Sequence, residues 1–466
     1  MCIRDSSETS CRGVTIIEKL MIYVKSISPT KILLAGYCFI ILLGTLLLSL
    51  PISVQEGEEI SLFTSFFTST SATCVTGLVL TDTYAHWSTF GQGVILSLIQ
   101  IGGLGFMTLC ITAVSVTKRK IGMSSRIVMQ NSIAAPQMGG IVRMTRFVFF
   151  GSLVIEAVGA FLLSLYFIPR LGLGNGIWYG IFHSVSAFCN AGFDIMGYEG
   201  PFSSLTTAYN SILVNIVIML LIILGGLGFF VWGDMLHTKM CWNKLKFHSK
   251  VVLSVTGFLI VFGTVVIFCM EYDCPAFQNM TLGQQLMASL FQSVSSRTAG
   301  FNTIDLAAMT QSGLFMMIFL MLIGGSPGST AGGIKTTTFA VLALSIITTM
   351  KRRKTTEAFG RRMEEGITRA SACVLMSYLF LCCGAAMIIT KIEGLEFLYV
   401  LFECVSAIAT VGLTTGITPD LSNVSLTILA LLMIFGRAGS ITILRAFSSD
   451  RSYVGSELPR EKIQIG

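Results

Sequence analysis

The chain has 466 residues, of which 53% are hydrophobic and 12% are charged, and its mean hydropathy is +0.78. Soluble domains carry about 25% charged residues, and one with half that share would expose large apolar patches. The composition therefore excludes a soluble globular protein and indicates an integral membrane protein.

Eight apolar runs predict membrane-spanning helices, since about 20 helical residues cross ~30 Å of hydrocarbon. In chain order they occupy residues 31–50, 90–116, 147–168, 211–232, 251–270, 313–350, 370–389 and 426–444. Basic residues concentrate in alternate connections between these runs, and acidic residues dominate the others. By the positive-inside rule, both termini are predicted to be cytoplasmic. The net charge of +7 then reflects topology and not nucleic-acid binding.

Each pair of spans encloses a shorter apolar segment that ends in a glycine turn. The segments read FTSTSATCVTGL, FHSVSAFCNAGF, FQSVSSRTAGF and FECVSAIATVGL, with turns centred on Gly77, Gly192, Gly300 and Gly412. Segments of about 10 to 14 residues are too short to cross the bilayer, so each must re-enter. The backbone that follows cannot face lipid, because each unsatisfied polar group costs several kcal/mol there. We therefore expect the four turns to line one aqueous path.

The glycines suggest how these turns would select an ion. Glycine adopts positive φ without steric cost, so consecutive carbonyl oxygens can point at one axis and replace the hydration shell of a cation. The alternative is that glycine only lets helices pack closely. Four glycines in one register, each after a Phe and a small polar segment, favour the ion filter. The predicted filter residues are Val75, Thr76, Gly77, Asn190, Ala191, Gly192, Thr298, Ala299, Gly300, Thr410, Val411 and Gly412.

The pattern as a whole predicts an all-α membrane protein of four pseudo-symmetric helix–pore-loop–helix repeats around one pore. Eight transmembrane helices and four re-entrant half-helices make up this fold. The predicted repeats are residues 25–117, 118–238, 239–350 and 351–448, between tails at 1–24 and 449–466. The last helix of the third repeat is predicted to be broken.

The helices that follow the turns share a second motif, IGGLGF, LGGLGF, IGGSPGS and FGRAGS. The second glycine of the first three motifs is replaced by Arg437 in the fourth. An arginine at the centre of a membrane costs about 3 kcal/mol unless it reaches water or a partner. We expect Arg437 to project into the path beneath the filter, as a barrier to cations or a partner of the gate. The alternative is that it snorkels to the cytoplasmic interface.

The third unit contains the stretch GGSPGSTAGGIKTTT, which cannot continue a regular helix. It differs from a nucleotide-binding P-loop, because its lysine does not directly follow the second glycine and no strand precedes it. An irregular segment at membrane depth should line a cavity, and we predict a gate below the filter. The predicted gate residues are Gly324, Gly325, Ser326, Pro327, Gly328, Ser329, Thr330, Ala331, Gly332, Gly333, Lys335 and Arg437.

Three further charged residues fall within apolar segments. Arg297 lies in the third turn and Glu403 in the fourth half-helix, and we hypothesise a salt bridge between them that supports the filter. Glu156 lies inside the third span, where it is either a paired structural acid or a site for a coupling ion.

With these motifs the chain resembles the Trk/Ktr/HKT superfamily of potassium transporters, and most closely the Ktr membrane subunit (KtrB). The resemblance rests on the four glycine turns, on SRTAGFNTID, on GGSPGSTAGGIKTTT and on FGRAG, and it covers residues 25–448. It implies a potassium filter, because Gly77 stands where serine is associated with sodium permeation. It also implies that the third-unit loop and Arg437 form the gate.

The resemblance further implies a homodimer in the cell inner (plasma) membrane, regulated by a cytosolic nucleotide-binding ring (KtrA-like). The ion at the filter is potassium as substrate, with sodium as a possible activator, and no cofactor is expected. The leading hypothesis is therefore potassium uptake. The alternatives are a proton- or sodium-coupled Trk-like symporter and a membrane-embedded enzyme, which would need clustered His, Asp or Glu side chains.

Overall fold

The computed structural model describes residues 29–105, 141–278, 280–353, 355–364 and 366–439, and this part of the chain is mostly helical. The predicted tails at 1–24 and 449–466, the end of the second predicted span and the basic residues between 118 and 126 lie outside the described residues.

We group the helices in four units, each with a glycine turn between its second and third members. Unit 1 contains α1 (Pro29–Leu48), α2 (Leu62–Cys74), the short α3 (Thr83–His86) and α4 (Thr89–Leu104). Unit 2 contains α5 (Ile141–Leu171), α6 (Leu173–Cys189), α7 (Ile212–Gly226) and α8 (Phe229–Thr238). Unit 3 contains α9 (Phe247–Glu271), α10 (Leu282–Ser295), α11 (Gln311–Leu322) and α12 (Thr336–Met350). Unit 4 contains α13 (Ile367–Glu393), α14 (Phe397–Ala409) and α15 (Asn423–Ala438). In units 1 and 2 the turn follows α2 and α6.

A two-stranded antiparallel hairpin connects units 3 and 4. Its strands are β1 (Glu357–Ala358) and β2 (Arg361–Arg362), and Glu357 is paired with Arg362. The connection carries several of the basic residues that the sequence analysis assigns to the cytoplasmic side.

Three helices in the described ranges are long and apolar enough to cross a membrane, namely α5, α9 and α13. Only 28–33% of the most apolar window of each helix is buried in the protein, which leaves a wide apolar surface for lipid. The bent pair α7–α8 would make a fourth span, and the shorter apolar helical segments, Leu34–Leu48 of α1 among them, have 10 to 17 residues. The eight predicted spans stay a prediction.

The predicted span at 211–232 is not one straight helix, because this segment is broken between α7 and α8 by a bend of 97°. Gly228 takes φ +89° at the break. The carbonyls of Gly225 and Gly226 accept hydrogen bonds from Thr330 and Ser326 of the third unit. Backbone pairing with another unit replaces the continuation of the helix.

The units contact one another in a closed cycle. The helix that follows each turn packs against the half-helix of the next unit: α4 against α6, α7 against α10, α11 against α14, and α15 against α2. The half-helices are thereby enclosed by protein, and their last turns are buried. This arrangement brings the four C-terminal ends of the half-helices, and so the four turns, together.

Side chains repeated along the half-helices fix their position. The recurring phenylalanine is 0% exposed in all four units, at Phe67, Phe182, Phe291 and Phe402. Two residues further on, a serine in three units donates to a carbonyl of the preceding long helix, as Ser69 does to Ile41 at 2.8 Å. A glycine on the facing helix makes room for each serine, for example Gly44 opposite Ser69. These contacts seat each half-helix against its own unit.

Candidate functional site: four glycine turns and the loop beneath them

The half-helices of units 1, 2 and 4 end in a left-handed residue that reverses the chain into the glycine turn, whereas in unit 3 the left-handed residue follows the helix end at Ser295 by three residues. The residues are Val75, Asn190, Thr298 and Thr410, with φ of 58°, 59°, 75° and 51°. Non-glycine residues adopt this conformation at a cost of about 1–3 kcal/mol, and such strain concentrates at functional sites. The residue after each of them donates its N–H to the carbonyl of a second recurring serine, four residues after the phenylalanine, at 2.8 or 2.9 Å in every unit; these serines are Ser71, Ser186, Ser295 and Ser406. The turns of units 1, 2 and 4 therefore share one hydrogen-bonded geometry, and the third turn, which is one residue shorter, closes a similar bond across four residues instead of five.

The hydroxyls of the recurring serines also fasten the turns. Ser71 and Ser406 accept the N–H of Gly77 and Gly412, at 3.1 and 3.0 Å. The corresponding Ser186 donates instead to the carbonyl of Phe193 at 2.6 Å. Serine side chains of the half-helices thus hold the turns through hydrogen bonds. Other carbonyls of the same turns remain without a hydrogen-bond donor within the described ranges.

The glycines of the four turns meet in a ring. Each adopts positive φ, and a Cβ built on each would lie within 3.0 Å of a carbonyl oxygen of a neighbouring unit. The pairs are Gly77 with Ala191, Gly192 with Ala299, Gly300 with Val411, and Gly412 with Thr76. Because the last pair returns to the first turn, the contacts close on themselves. Glycine is required here for close approach of backbones as well as for its φ, and the sequence pattern alone indicates only the second of these reasons.

The carbonyls that form this ring are buried and free of backbone donors. The four residues that carry these carbonyls are fully buried, and no backbone N–H of the described residues donates to their oxygens. Buried carbonyls are normally paired, with few exceptions. Four such oxygens around one ring of glycines could together supply the several oxygen ligands that a dehydrated cation needs.

The hypothesised salt bridge between Arg297 and Glu403 is wrong. Glu403 is 1% exposed, and its carboxylate accepts hydrogen bonds from its own unit. The donors are the hydroxyl of Thr414 at 2.6 Å, the N–H of Thr415 at 3.0 Å and the hydroxyl of Thr418 at 2.8 Å. These bonds tie the fourth half-helix to the segment that follows its turn.

Thr418→Val should destabilise the protein, because it removes a donor from buried Glu403 without changing side-chain shape. The expected loss is about 1–3 kcal/mol in the free energy of unfolding, measured as a lower melting temperature of the purified protein. The control is Thr427→Val on α15, whose exposed hydroxyl bonds only to the carbonyl of Asn423. Equal melting temperatures for the two variants would contradict this role of Glu403.

Arg297 points away from unit 4, towards the seam between units 2 and 3. Its Nη1 lies 3.5 Å from the carbonyl of Thr256 on α9, and its Nε has no partner among the described residues. The ion pairs found in the described ranges join His86 to Glu58 and Arg353 to Glu357. The cyclic order of the units explains why Arg297 and Glu403 do not pair. The half-helix of unit 3 packs against unit 2, and unit 3 contacts unit 4 through α11.

Glu156 is partnered by an amide. Both of its carboxylate oxygens lie within 3.1 Å of the Nε2 of Gln100 on α4, and the thiol of Cys189 is 3.9 Å away. This contact joins units 1 and 2 directly behind the second turn, and it leaves the choice between a structural acid and a coupling-ion site open.

The loop between α11 and α12 is mostly buried, and hydrogen bonds hold its two ends together. Gly324 donates to Ile334 at 2.9 Å, and Thr336 donates to Gly325 at 3.0 Å, so both ends of the loop meet. Lys335 folds back on the loop, donating to the carbonyl of Ala331 at 2.7 Å. The loop is therefore folded compactly on itself and is not an extended linker.

The same loop contacts the ends of helices from the other units. The backbone N–H groups of Ser326 and Thr330 donate to carbonyls at the end of α7, at 2.9 and 3.2 Å. In the other direction, the N–H of Phe229 on α8 donates to the carbonyl of Gly328 in the loop at 2.8 Å. The hydroxyl of Thr330 reaches the carbonyl of Phe188 at 3.1 Å, two residues before the left-handed residue of the second turn. A Cβ on Gly332 would collide with Thr410 of the fourth turn. The loop thus lies directly against the turns.

Arg437 bridges this loop to unit 1. One guanidinium nitrogen donates to the carbonyl of Thr330, and the other donates to Gly102 and Gly103, the latter at 3.1 Å. All three acceptors are backbone carbonyls from helix or loop ends in the protein interior. The arginine is engaged across the molecule, which disfavours the snorkelling alternative.

A third glycine of the second motif was missed in the sequence. Gly105, Gly228 and Gly439 each follow a helix end with φ of 79°, 89° and 83°. The helix after the turn stops at the same register in units 1, 2 and 4, as it does near Ile323 in unit 3. The signal was present, since the glycine recurs at the fifth position of IGGLG, LGGLG and FGRAG.

The first glycine of the motif serves close packing. Gly102, Gly225 and Gly436 each face a carbonyl near the end of their unit's own half-helix, and no larger residue fits. These glycines allow close packing of the helix against the half-helix. Turn-forming and packing glycines therefore occur within the same unit.

Comparison with known proteins identifies the family. The model of the TrkH family, described as cation transport protein, matches residues 39–454. The chain belongs to the TrkH family. The resemblance stated from the sequence is thereby confirmed, and this TrkH-family protein is a membrane transporter by family.

Individual relatives match this TrkH-family protein over nearly its whole length. It is 38% identical to the potassium/sodium uptake protein NtpJ of Enterococcus hirae, over 97% of the chain and 100% of that protein. It is 36% identical to the Ktr system potassium uptake protein B of Bacillus subtilis, over 92% of the chain and 95% of that protein. The crystal structure of the potassium transporter TrkH from Vibrio parahaemolyticus has the same fold, with a TM-score of 0.69 and 20% identity, covering 89% of this chain and 84% of that one.

Proposed function

We propose that this TrkH-family protein takes up potassium ions through the ring of four glycine turns. The observation that carries the proposal is the closed cycle in which each turn presents a carbonyl to the glycine of its neighbour. Carbonyl rings replace the hydration shell of a monovalent cation. The twelve turn residues predicted from the sequence are the filter in this proposal. Entry is driven by the membrane potential, worth about 2.3 kcal/mol per charge per 100 mV.

Two features support potassium as the substrate. The relatives at 36–38% identity are named as potassium or potassium/sodium uptake proteins. The first turn has Gly77, and its close contact with the second turn leaves no room for the serine side chain that the family associates with sodium. Sodium is proposed as an activator at most. No cofactor takes part in this function, and potassium binds at the filter only.

The proposed architecture is four helix–half-helix–helix repeats with eight membrane spans, in the plasma membrane and with both termini cytoplasmic. The cyclic contacts between units and the shared geometry of the four turns support it. The α11–α12 loop and Arg437 are the proposed gate, because they join units 1, 2, 3 and 4 directly against the turns. A homodimer and a cytosolic nucleotide-binding ring complete the proposal, in keeping with the relatives named as parts of Ktr systems.

Growth of a potassium-uptake-deficient bacterium at low potassium tests this function. Expression of the full chain should restore growth. In a medium without sodium, growth should still be restored, at a lower rate. Rescue that depends wholly on sodium or on an imposed proton gradient would favour the coupled symporter. No rescue by a protein shown to reach the membrane would contradict the proposal.

A further inference from the structure

A small cavity lies beside Arg297, behind the third turn. It provides about 20 Å³ for water-sized occupants and is formed by α7, α9, α10 and the base of the α11–α12 loop. Arg297 and Thr256 supply its polar groups, and Gly226 and Gly325 form the wall towards the loop. The remaining lining consists of aliphatic side chains.

Two polar atoms at this cavity lack a hydrogen-bond partner among the described residues, although Nη1 of Arg297 donates to the carbonyl of Thr256 at 3.5 Å. Arg297 is 8% exposed, and its Nε has no hydrogen-bond partner in the described part of the chain. The hydroxyl of Thr256 is likewise without a partner there. The nearby carbonyl of Gly226 is already used by Ser326, and that of Gly325 by Thr336. Unpaired donors of this kind are costly in a protein interior.

The charge of Arg297 is equally uncompensated. No carboxylate of the described residues lies within 4.0 Å of its guanidinium, and Glu403 is engaged elsewhere. Buried charges are normally paired. Arg297 directly precedes Thr298 of the third turn, so an unbalanced positive charge here would repel any cation held by the ring.

We propose that this cavity is a binding site for one small monoatomic anion, chloride under physiological conditions, held by Arg297 Nε and Thr256 Oγ1. Two unpaired donors from residues lining one cavity with aliphatic walls suit a halide and disfavour a metal cation, which needs oxygen ligands. The volume admits one water-sized occupant, so sulfate, phosphate and lipid headgroups are excluded. A water molecule would satisfy the donors but would leave the charge unbalanced. The anion compensates Arg297 without entering the cation path.

The test is thermal unfolding of the purified full chain at constant potassium, in chloride, bromide or gluconate. Chloride and bromide should raise the melting temperature by about 2–5 °C over gluconate, with saturation as the halide concentration increases. Thr256→Val removes one donor without changing side-chain shape and should abolish at least half of this increment. The control is Thr264→Val on the same helix, whose hydroxyl donates to Ile260 at 2.7 Å and lies away from the cavity. It should retain the full halide effect.

Equal melting temperatures in the three anions would overturn the proposal and leave water as the occupant. A full halide effect in Thr256→Val would overturn it too, because the anion would then bind elsewhere. Bromide diffraction supplies an independent readout, with an anomalous peak expected between Arg297 and Thr256. These measurements need no transport, so their failure is distinct from failure of the proposed potassium uptake.

Discussion

Gly412→Ala is expected to abolish potassium uptake, whereas Gly416→Ala should leave it within a few-fold of the unmodified protein. The two glycines have nearly the same backbone conformation, with φ of 91° and 93°. A Cβ at position 412 would collide with the carbonyl of Thr76, whereas one at position 416 meets nothing within 4 Å. Both variants carry the same left-handed strain, about 1–3 kcal/mol. Only Gly412→Ala displaces a ligand of the ring.

The measurement is rubidium uptake into proteoliposomes, normalised to the amount of folded protein. A loss of about 3 kcal/mol of cation stabilisation lowers the rate by about a hundredfold, so at least that decrease is expected for Gly412→Ala. The paired design separates strain from ligand loss. Equal uptake by the two variants, or a larger loss for Gly416→Ala, would show that close contact between the turns is not what transport needs.

Arg437→Gln is expected to raise cation flux by at least tenfold. Arg437 holds the α11–α12 loop to unit 1 through bonds to Thr330, Gly102 and Gly103, and hydrogen bonds from a charged donor contribute about 1.5–3 kcal/mol each. Glutamine is shorter and neutral, so it removes both the connection and the positive charge that would oppose a cation in the proposed path. Each loss of about 1.4 kcal/mol in the stability of the closed state raises the ratio of open to closed molecules about tenfold.

The readout is rubidium flux in proteoliposomes at matched protein content, without any cytosolic partner. Arg353→Gln is the control, because it removes the same charge from an exposed ion pair with Glu357, 3.7 Å long, on the hairpin side of α12. That pair contributes about 0–1 kcal/mol and is remote from the turns. Unchanged or lower flux from folded Arg437→Gln would rule out Arg437 as part of the barrier.

The repeated elements were predictable because each repeat constrains the others. One half-helix with a terminal glycine is ambiguous, but four with a shared phenylalanine and serine indicate that the turns meet. The same pattern explains why the four recurring phenylalanines are fully buried. The helix breaks at Gly105, Gly228 and Gly439 could also have been found, since the glycines share a register. Strong apolar runs concealed them, because hydropathy averages over a single glycine.

Partner choice between units could not be predicted from the sequence. Arg297 and Glu403 looked complementary by charge, yet Glu403 is satisfied by three threonines that follow it closely in the chain. Local hydroxyls outcompete a distant guanidinium because they are held within reach by the turn. The cross-unit bond from Arg437 to Gly103 depends on cyclic packing that no local pattern encodes. The same holds for the loop's pairing with α7.

The central claim is that carbonyls from four turns jointly bind one dehydrated cation, and rubidium diffraction tests it most directly. Crystals of the full chain grown in rubidium should show an anomalous peak enclosed by Gly77, Gly192, Gly300 and Gly412. The peak should be absent, or much weaker, with sodium replacing rubidium. A rubidium-soaked crystal without density at this ring, but with a site elsewhere in the membrane region, would contradict the account.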